Sequence, residues 1–346
     1  MTQTVTGGTE LVARAERVAE EVLFPGALAT DAAPVVPVDR LDALGGAGLY
    51  GLFGPPEAGG LGADAVIGGL VTEVLAGACL TTAFVWAQHH GAVTTTARAP
   101  EQLREEWLGP LCRGDRRAGV AFAGLRRPGP PLLTARPSAN GWVLRGSAPW
   151  VTGWGRVDVV HTAARDPEGN VVWLLVDAVA SPTLEVEPLE LAAVNASATV
   201  GVRFTDHEVP LSRLTLVEPF ATWIARDSAG LSRNGSFPLG VARRCSRLLG
   251  SDGFDDEIAA CRRALDESTP DTVAEARAGA ADLAVRAASA LVVSGGGRSV
   301  LVREQAQRLA REAMFLLVFG QTSSIKAAQL RRYRDHSAEI VRRLPD

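Results

Sequence analysis

At 346 residues, of which 47% are hydrophobic and 21% charged, the chain can bury two or three cores of roughly 100–200 residues each. That composition, with 36 glycines and 20 prolines in no repeating period, excludes collagen-like, low-complexity and wholly disordered chains. A net charge of −4, from 35 basic and 39 acidic residues, offers no basic field to a polyanion, so nucleic acid is not an expected partner.

All but one of the basic residues are arginine, Lys326 being the only lysine. Cys79, Cys112, Cys245 and Cys261 form no C-x-x-C pair, which argues for buried thiols and against zinc, a dithiol redox site or a secreted disulfide framework; no metal site is expected. Residues 1–20 lack a signal-peptide pattern and no apolar run approaches the ~20 residues that span a bilayer, so a cytoplasmic protein without membrane contact is expected.

In chain order, Leu11, Val12, Val18, Val22 and Leu23 form one helical stripe that predicts a helix from Thr9, with Thr9 as its cap. Asp39 is placed as the cap of a second helix, Arg40 to Leu44, and Gly54 to Gly62 as a loop. Helices follow over Asp64–Leu80, Thr82–Ala97 and from Pro100 to near Gly114, so residues 1–117 are assigned to an N-terminal helical domain. From Ala118 the pattern turns to short apolar runs parted by turn signals. Strands are expected at 119–123, 132–137, 142–148, 157–164, 171–177, 184–188 and 200–209, with hairpin turns at Asn140-Gly141 and Glu168-Gly169-Asn170. Residues 118–217 are thus a central sheet or barrel-like β domain. Helical periodicity returns over Thr222–Leu249, with a break expected at Pro238, then 255–267, 271–293, 302–319 and Ser323 to about Leu344. Long amphipathic helices with short joints make residues 218–346 a C-terminal bundle.

Three stretches make this order specific. Ser147 to Ala164, containing Trp150-Val151-Thr152-Gly153-Trp154, resembles the Trp-Ile-Thr segment of the acyl-CoA dehydrogenase family. Asn195 to Leu214 is similar to the end of that family's β domain, and Val318-Phe319-Gly320-Gln321-Thr322-Ser323-Ser324-Ile325 to its Ile-Tyr-Glu-Gly-Thr-Ser-Glu-Ile. The resemblance implies an α+β fold of helical domain, β domain and four-helix bundle, assembled as a homo- or hetero-oligomer, with FAD held between the β domain and the bundle and an acyl thioester as substrate. On that basis Trp150 would wall the isoalloxazine and Thr152 would stand near its N5, where an apolar wall excludes water and a donor stabilises incoming charge. Taken by themselves, Trp150 and Trp154 around Gly153 read as a hydrophobic corner of a β domain.

The chain also departs from the family. Its flavin loop aligns with Leu125-Arg126-Arg127-Pro128-Gly129, which keeps Pro-Gly but has Arg126 where a threonine would meet the pyrimidine. Arg126 or Arg127 could meet flavin or a phosphate, or form a solvated pair. Gly320 stands where the proton-abstracting glutamate is expected, and Ser228 to Arg233, the alternative location, has no acid. A missing base forfeits roughly 10²- to 10⁴-fold in rate. Leu248 to Phe254 replaces the segment that reaches the far end of FAD, so FAD held by other contacts, FMN in its place, or an empty site are the alternatives. His89 and His90, two of only five histidines, resemble a flavin-monooxygenase branch of the same fold, as does Arg311–Phe315, and are the candidate catalytic residues; the alternative is that one of the pair faces solvent and the other packs at the domain interface. Asp252, Asp255, Asp256 and Glu257 read as helix caps, and His161 and His207 as structural. Three functions follow: a flavin-dependent dehydrogenase, a reduced-flavin monooxygenase, and a non-catalytic subunit paired with a base-bearing homologue.

Overall fold

The protein is described by a computed structural model covering residues 2–250 and 252–343, with the side chains of 2–6 and 335–343 outside the description; Ser251 and Leu344 therefore lie outside it. Seven helices form the first third: α1 (Thr2–Val18), α2 (Ala27–Ala32), α3 (Val38–Gly46), α4 (Ala65–Ala78), α5 (Leu80–Ala87), α6 (His90–Thr96) and α7 (Glu101–Arg113). α1 starts well before Thr9 and runs on through a π turn, Ala19–Leu23. Its polar start made the earlier boundary invisible to periodicity. Asp64 caps α4, its carboxylate accepting from the Ile67 amide at 2.8 Å. Asp39 lies inside α3, whose cap position is Pro37.

Eight strands follow: β1 (Ala118–Ala121), β2 (Leu133–Ser138), β3 (Gly141–Val151), β4 (Val159–Arg165), β5 (Asn170–Asp177), β6 (Leu184–Pro188), β7 (Val200–Pro210) and β8 (Leu214–Pro219). They form one mixed sheet in the order β6-β7-β3-β2-β4-β5-β8, with β1 parallel to β4. β4 and β5 are buried along nearly their whole length, because helices cover one side and the sheet's own core the other.

The last third holds α8 (Phe220–Ala229), α9 (Ser236–Leu249), α10 (Asp255–Asp266), α11 (Val273–Gly295), α12 (Gln305–Leu316) and α13 (Ser323–Arg343). The break expected at Pro238 falls instead at Gly230, where a 3-10 stretch, Leu231–Gly235, intervenes; Pro238 sits in the first turn of α9, where no amide partner is lost. The stretch 273–300 is apolar and long enough to cross a membrane by composition, but it carries Arg277, Asp282 and Arg286 and packs as the central bundle helix. Lys326 is exposed on the first turns of α13.

The bundle and the N-terminal helices share one apolar core. α4 and α9 touch through glycines: a Cβ on Gly240 would lie 2.2 Å from the Glu73 carbonyl oxygen, and one on Gly77 2.6 Å from that of Gly240. Ion pairs Glu20–Arg244, Glu73–Arg262 and Asp31–Arg311 border the same seam.

Candidate functional site

β3 and β7 slip register between Ala148 and Val151, and Trp150 falls in the slip with φ +61°. The facing segment holds Val194 (φ +52°) and Ala198 (φ +46°) in the same left-handed region. The Gly153 and Trp154 amides donate to the Ser197 and Ala198 carbonyls at 2.8 and 3.2 Å, fixing the corner. A bulky residue there costs about 1–3 kcal/mol, yet Trp150 is 58% exposed and recovers little by packing. Strain that packing does not offset points to use. Trp150→Gly is therefore expected to raise the unfolding free energy by about 1 kcal/mol, read as a higher urea midpoint, while removing whatever the indole contacts.

Two residues away, Thr152 is buried, and its hydroxyl lies 3.1 Å from that of Thr199, which lies 2.8 Å from that of Ser197. This chain of buried hydroxyls turns the Thr152 side chain into the β domain. Leu125, on the 3-10 turn Ala123–Arg126, is buried with Ala163, Val171, Trp173 and Trp223. Arg126 is partly exposed but engaged: it donates to both carboxylate oxygens of Asp227 on α8 at 2.8 and 2.7 Å and lies over Phe122. It clasps the β domain to the bundle. A flavin placed by the family pattern would find Trp150 as a wall, but neither the Thr152 hydroxyl nor the Arg126 guanidinium is free to meet it. The side chains do not fit the expected polar contacts.

Gly320 joins α12 to α13 with φ +59°. A Cβ there would lie 2.8 Å from Asn234 Nδ2 and 3.9 Å from a terminal nitrogen of Arg277. The place expected to hold a carboxylate base is thus occupied by donors. Arg277 donates to the carbonyls of Leu231 (2.8 Å) and Phe319 (3.1 Å). Phe84, Phe237, Phe315 and Phe319 pack ring against ring beside this turn. Gly320→Glu is expected to cost about 1–3 kcal/mol through backbone strain and the Asn234 contact, measurable as a lower urea midpoint.

His89 and His90 are corrected to core residues. The His89 Nδ1 accepts from the Ala118 amide at 3.0 Å, and Nε2 lies 3.0 Å from the Leu111 carbonyl, so both ring nitrogens are used by backbone. His90 is enclosed by Phe53, Trp86 and His89, and neither of its ring nitrogens has a partner. Burial drives His89 down to about 4 and His90 well below the ordinary histidine value. His161 stacks on Trp173 and His207 lies 2.9 Å from the Thr183 hydroxyl.

Two open clefts of about 560 and 780 Å³ lie elsewhere, both bordered by Gly45, Gly46 and Arg113, and neither is lined by Trp150 or Thr152. Sequence reasoning missed Arg277, Asn234 and Asp227. The available signal was Arg277, one of two cations on the alanine-rich helix α11.

Residues 8–115 match the family described as acyl-CoA dehydrogenase, N-terminal domain. The human mitochondrial short-chain specific acyl-CoA dehydrogenase is 25% identical over 240 residues, 65% of this chain and 57% of that protein. Over its N-terminal third the chain is similar to the acyl-CoA dehydrogenase family. The alignment spans a little over half the length of that relative. Butyryl-CoA dehydrogenase from Megasphaera elsdenii shares the acyl-CoA dehydrogenase fold at a TM-score of 0.79, 18% identity, and coverage of 93% of this chain and 96% of that one. Glutaryl-CoA dehydrogenase from Mycobacterium smegmatis, solved with FADH2, gives 0.76, 17%, 93% and 94%.

Proposed function

We propose that this chain is a subunit of a flavin-dependent oxidoreductase acting on an acyl thioester, and that a partner of the same fold supplies the complete set of catalytic groups. The observation that carries the reading is Gly320, where the expected carboxylate is replaced by the amide of Asn234 and the guanidinium of Arg277. Removing an α-proton needs a base within hydrogen-bond reach of it, and a ring of donors cannot accept one. FAD, named in a neighbour of this fold, would have to be held by the partner's groups, because Thr152 and Arg126 of this chain are engaged elsewhere. This chain's own contribution would be the exposed, strained Trp150 indole, free to meet a partner or ligand, and the Arg126–Asp227 clasp, which fixes the β domain against α8.

The backbone bonds at both ring nitrogens of His89 support this reading over the monooxygenase one. The test is purification alone and together with a base-bearing homologue. The chain alone is expected to show no acyl-CoA-dependent dye reduction, and the mixed complex to show both that activity and flavin absorbance near ~450 nm. Turnover of butyryl-CoA by the isolated chain would sink the proposal.

A further inference from the structure

Arg277 is 3% exposed and carries a full charge. Its partners are two neutral carbonyls, its Nε has none, and no carboxylate acts on it. Burying an unpaired cation is costly, so a cation kept in this state marks a place where an anion belongs. Burial and the nearby Arg126 push it down to about 10, so an arriving negative charge would relieve both causes. Gly320, Phe319, Asn234 and Arg126 around it are each partly exposed, so the guanidinium lies one layer below the surface where the Leu231–Gly235 stretch meets the turn after α12. The Asn234 amide overhangs the same turn, and two donors therefore converge on Gly320.

We propose that Arg277 and Asn234 form a recognition site for the carboxylate of a small organic acid, either free or at the distal end of an acyl thioester. A guanidinium presents parallel N–H groups that match a carboxylate, and the amide adds a third donor from the other side of the turn. The Arg126–Asp227 clasp lies near the site, with both Asp227 oxygens engaged by Arg126. The inference goes beyond the proposed function and needs neither flavin nor turnover.

The experiment is thermal melting of the full chain with succinate and, at matched ionic strength, its uncharged analogue succinamide. Succinate is expected to raise Tm by roughly 2–4 °C and succinamide to leave it unchanged. Arg277→Gln is expected to weaken the Kd for succinate by ~10- to 100-fold, as loss of a charge-assisted hydrogen bond does. Asn234→Asp installs a resident carboxylate beside Arg277 and is expected to raise Tm by itself and abolish the response to succinate; it keeps the test decisive should Arg277→Gln not fold. Comparing succinyl-CoA with butyryl-CoA separates the two sources of the carboxylate: a larger shift with succinyl-CoA than with either succinate or butyryl-CoA assigns it to a thioester, and equal shifts with succinate and succinyl-CoA to a free acid. Equal shifts with succinate and succinamide, or a succinate response retained in both variants, would overturn the proposal. Failure of mixed-complex activity would bear on the proposed function alone.

Discussion

Arg308→Ala is expected to lower the unfolding free energy by about 3–5 kcal/mol, the cost of leaving a buried partner uncompensated. Arg308 and Glu312 are both almost fully buried on α12 and meet at 2.6 Å, with Arg308 also donating to Gln305 at 2.7 Å. The second Glu312 oxygen has no partner, and burial pushes its carboxyl above the usual range while Arg308 pulls it back. Removing the guanidinium takes away that restraint. Arg308→Met combined with Glu312→Leu is expected to be far less harmful than the sum of the single losses, because both desolvation costs vanish together. Urea unfolding of the two single variants and the double variant provides the cycle, and additive losses would show that the pair is not coupled.

Acid is expected to unfold the protein unusually steeply, and histidines are the reason. Burial lowers His89 to about 4 and His161 to about 3, and puts His90 well below 6.5, the ordinary value. The unfolded chain therefore binds protons that the folded chain refuses, and ∂ΔG/∂pH is positive. The stability these groups contribute is complete above 6.5 and is lost as pH falls below that value, until each folded group titrates in turn. Each fully responding histidine adds about 1.4 kcal/mol per pH unit. His90→Phe removes one of the three and replaces two unpartnered nitrogens with a ring suited to Phe53 and Trp86, so it should gain about 1 kcal/mol at neutral pH and flatten the acid slope by about a third. Denaturant midpoints measured across the acid range check this, and an unchanged slope in the variant would rule out His90 as a contributor.

The domain order was legible because periodicity changes twice along the chain, near Ala118 and near Pro219. Strand β6 coincides with its expected range, and six other strands were found within a few residues. β8 was missed because Leu214–Pro219 is short and interrupted by Glu218, whose charge is met by Arg226 on α8, a partner no local pattern reveals. α2 was missed for its single turn and a half among prolines. At the site, the absent base at Gly320 was readable from one letter. The donors that fill its place were not, since Asn234, Arg277 and Gly320 come from three separate elements. The histidines misled for a related reason: a rare residue type draws attention, while the backbone groups that occupy His89 leave no trace in sequence.

Arginine is the cation of every described ion pair at the seam between the N-terminal helices and the bundle, and Lys326 alone stands apart on an exposed turn of α13, a few residues beyond Gly320. Away from a chain terminus, an amine-reactive dye has a single internal address. One fluorophore coupled there would sit beside the turn at Gly320 without touching the guanidinium contacts that hold the molecule together, and its quenching or depolarisation would report directly whether another subunit settles over that end of the bundle.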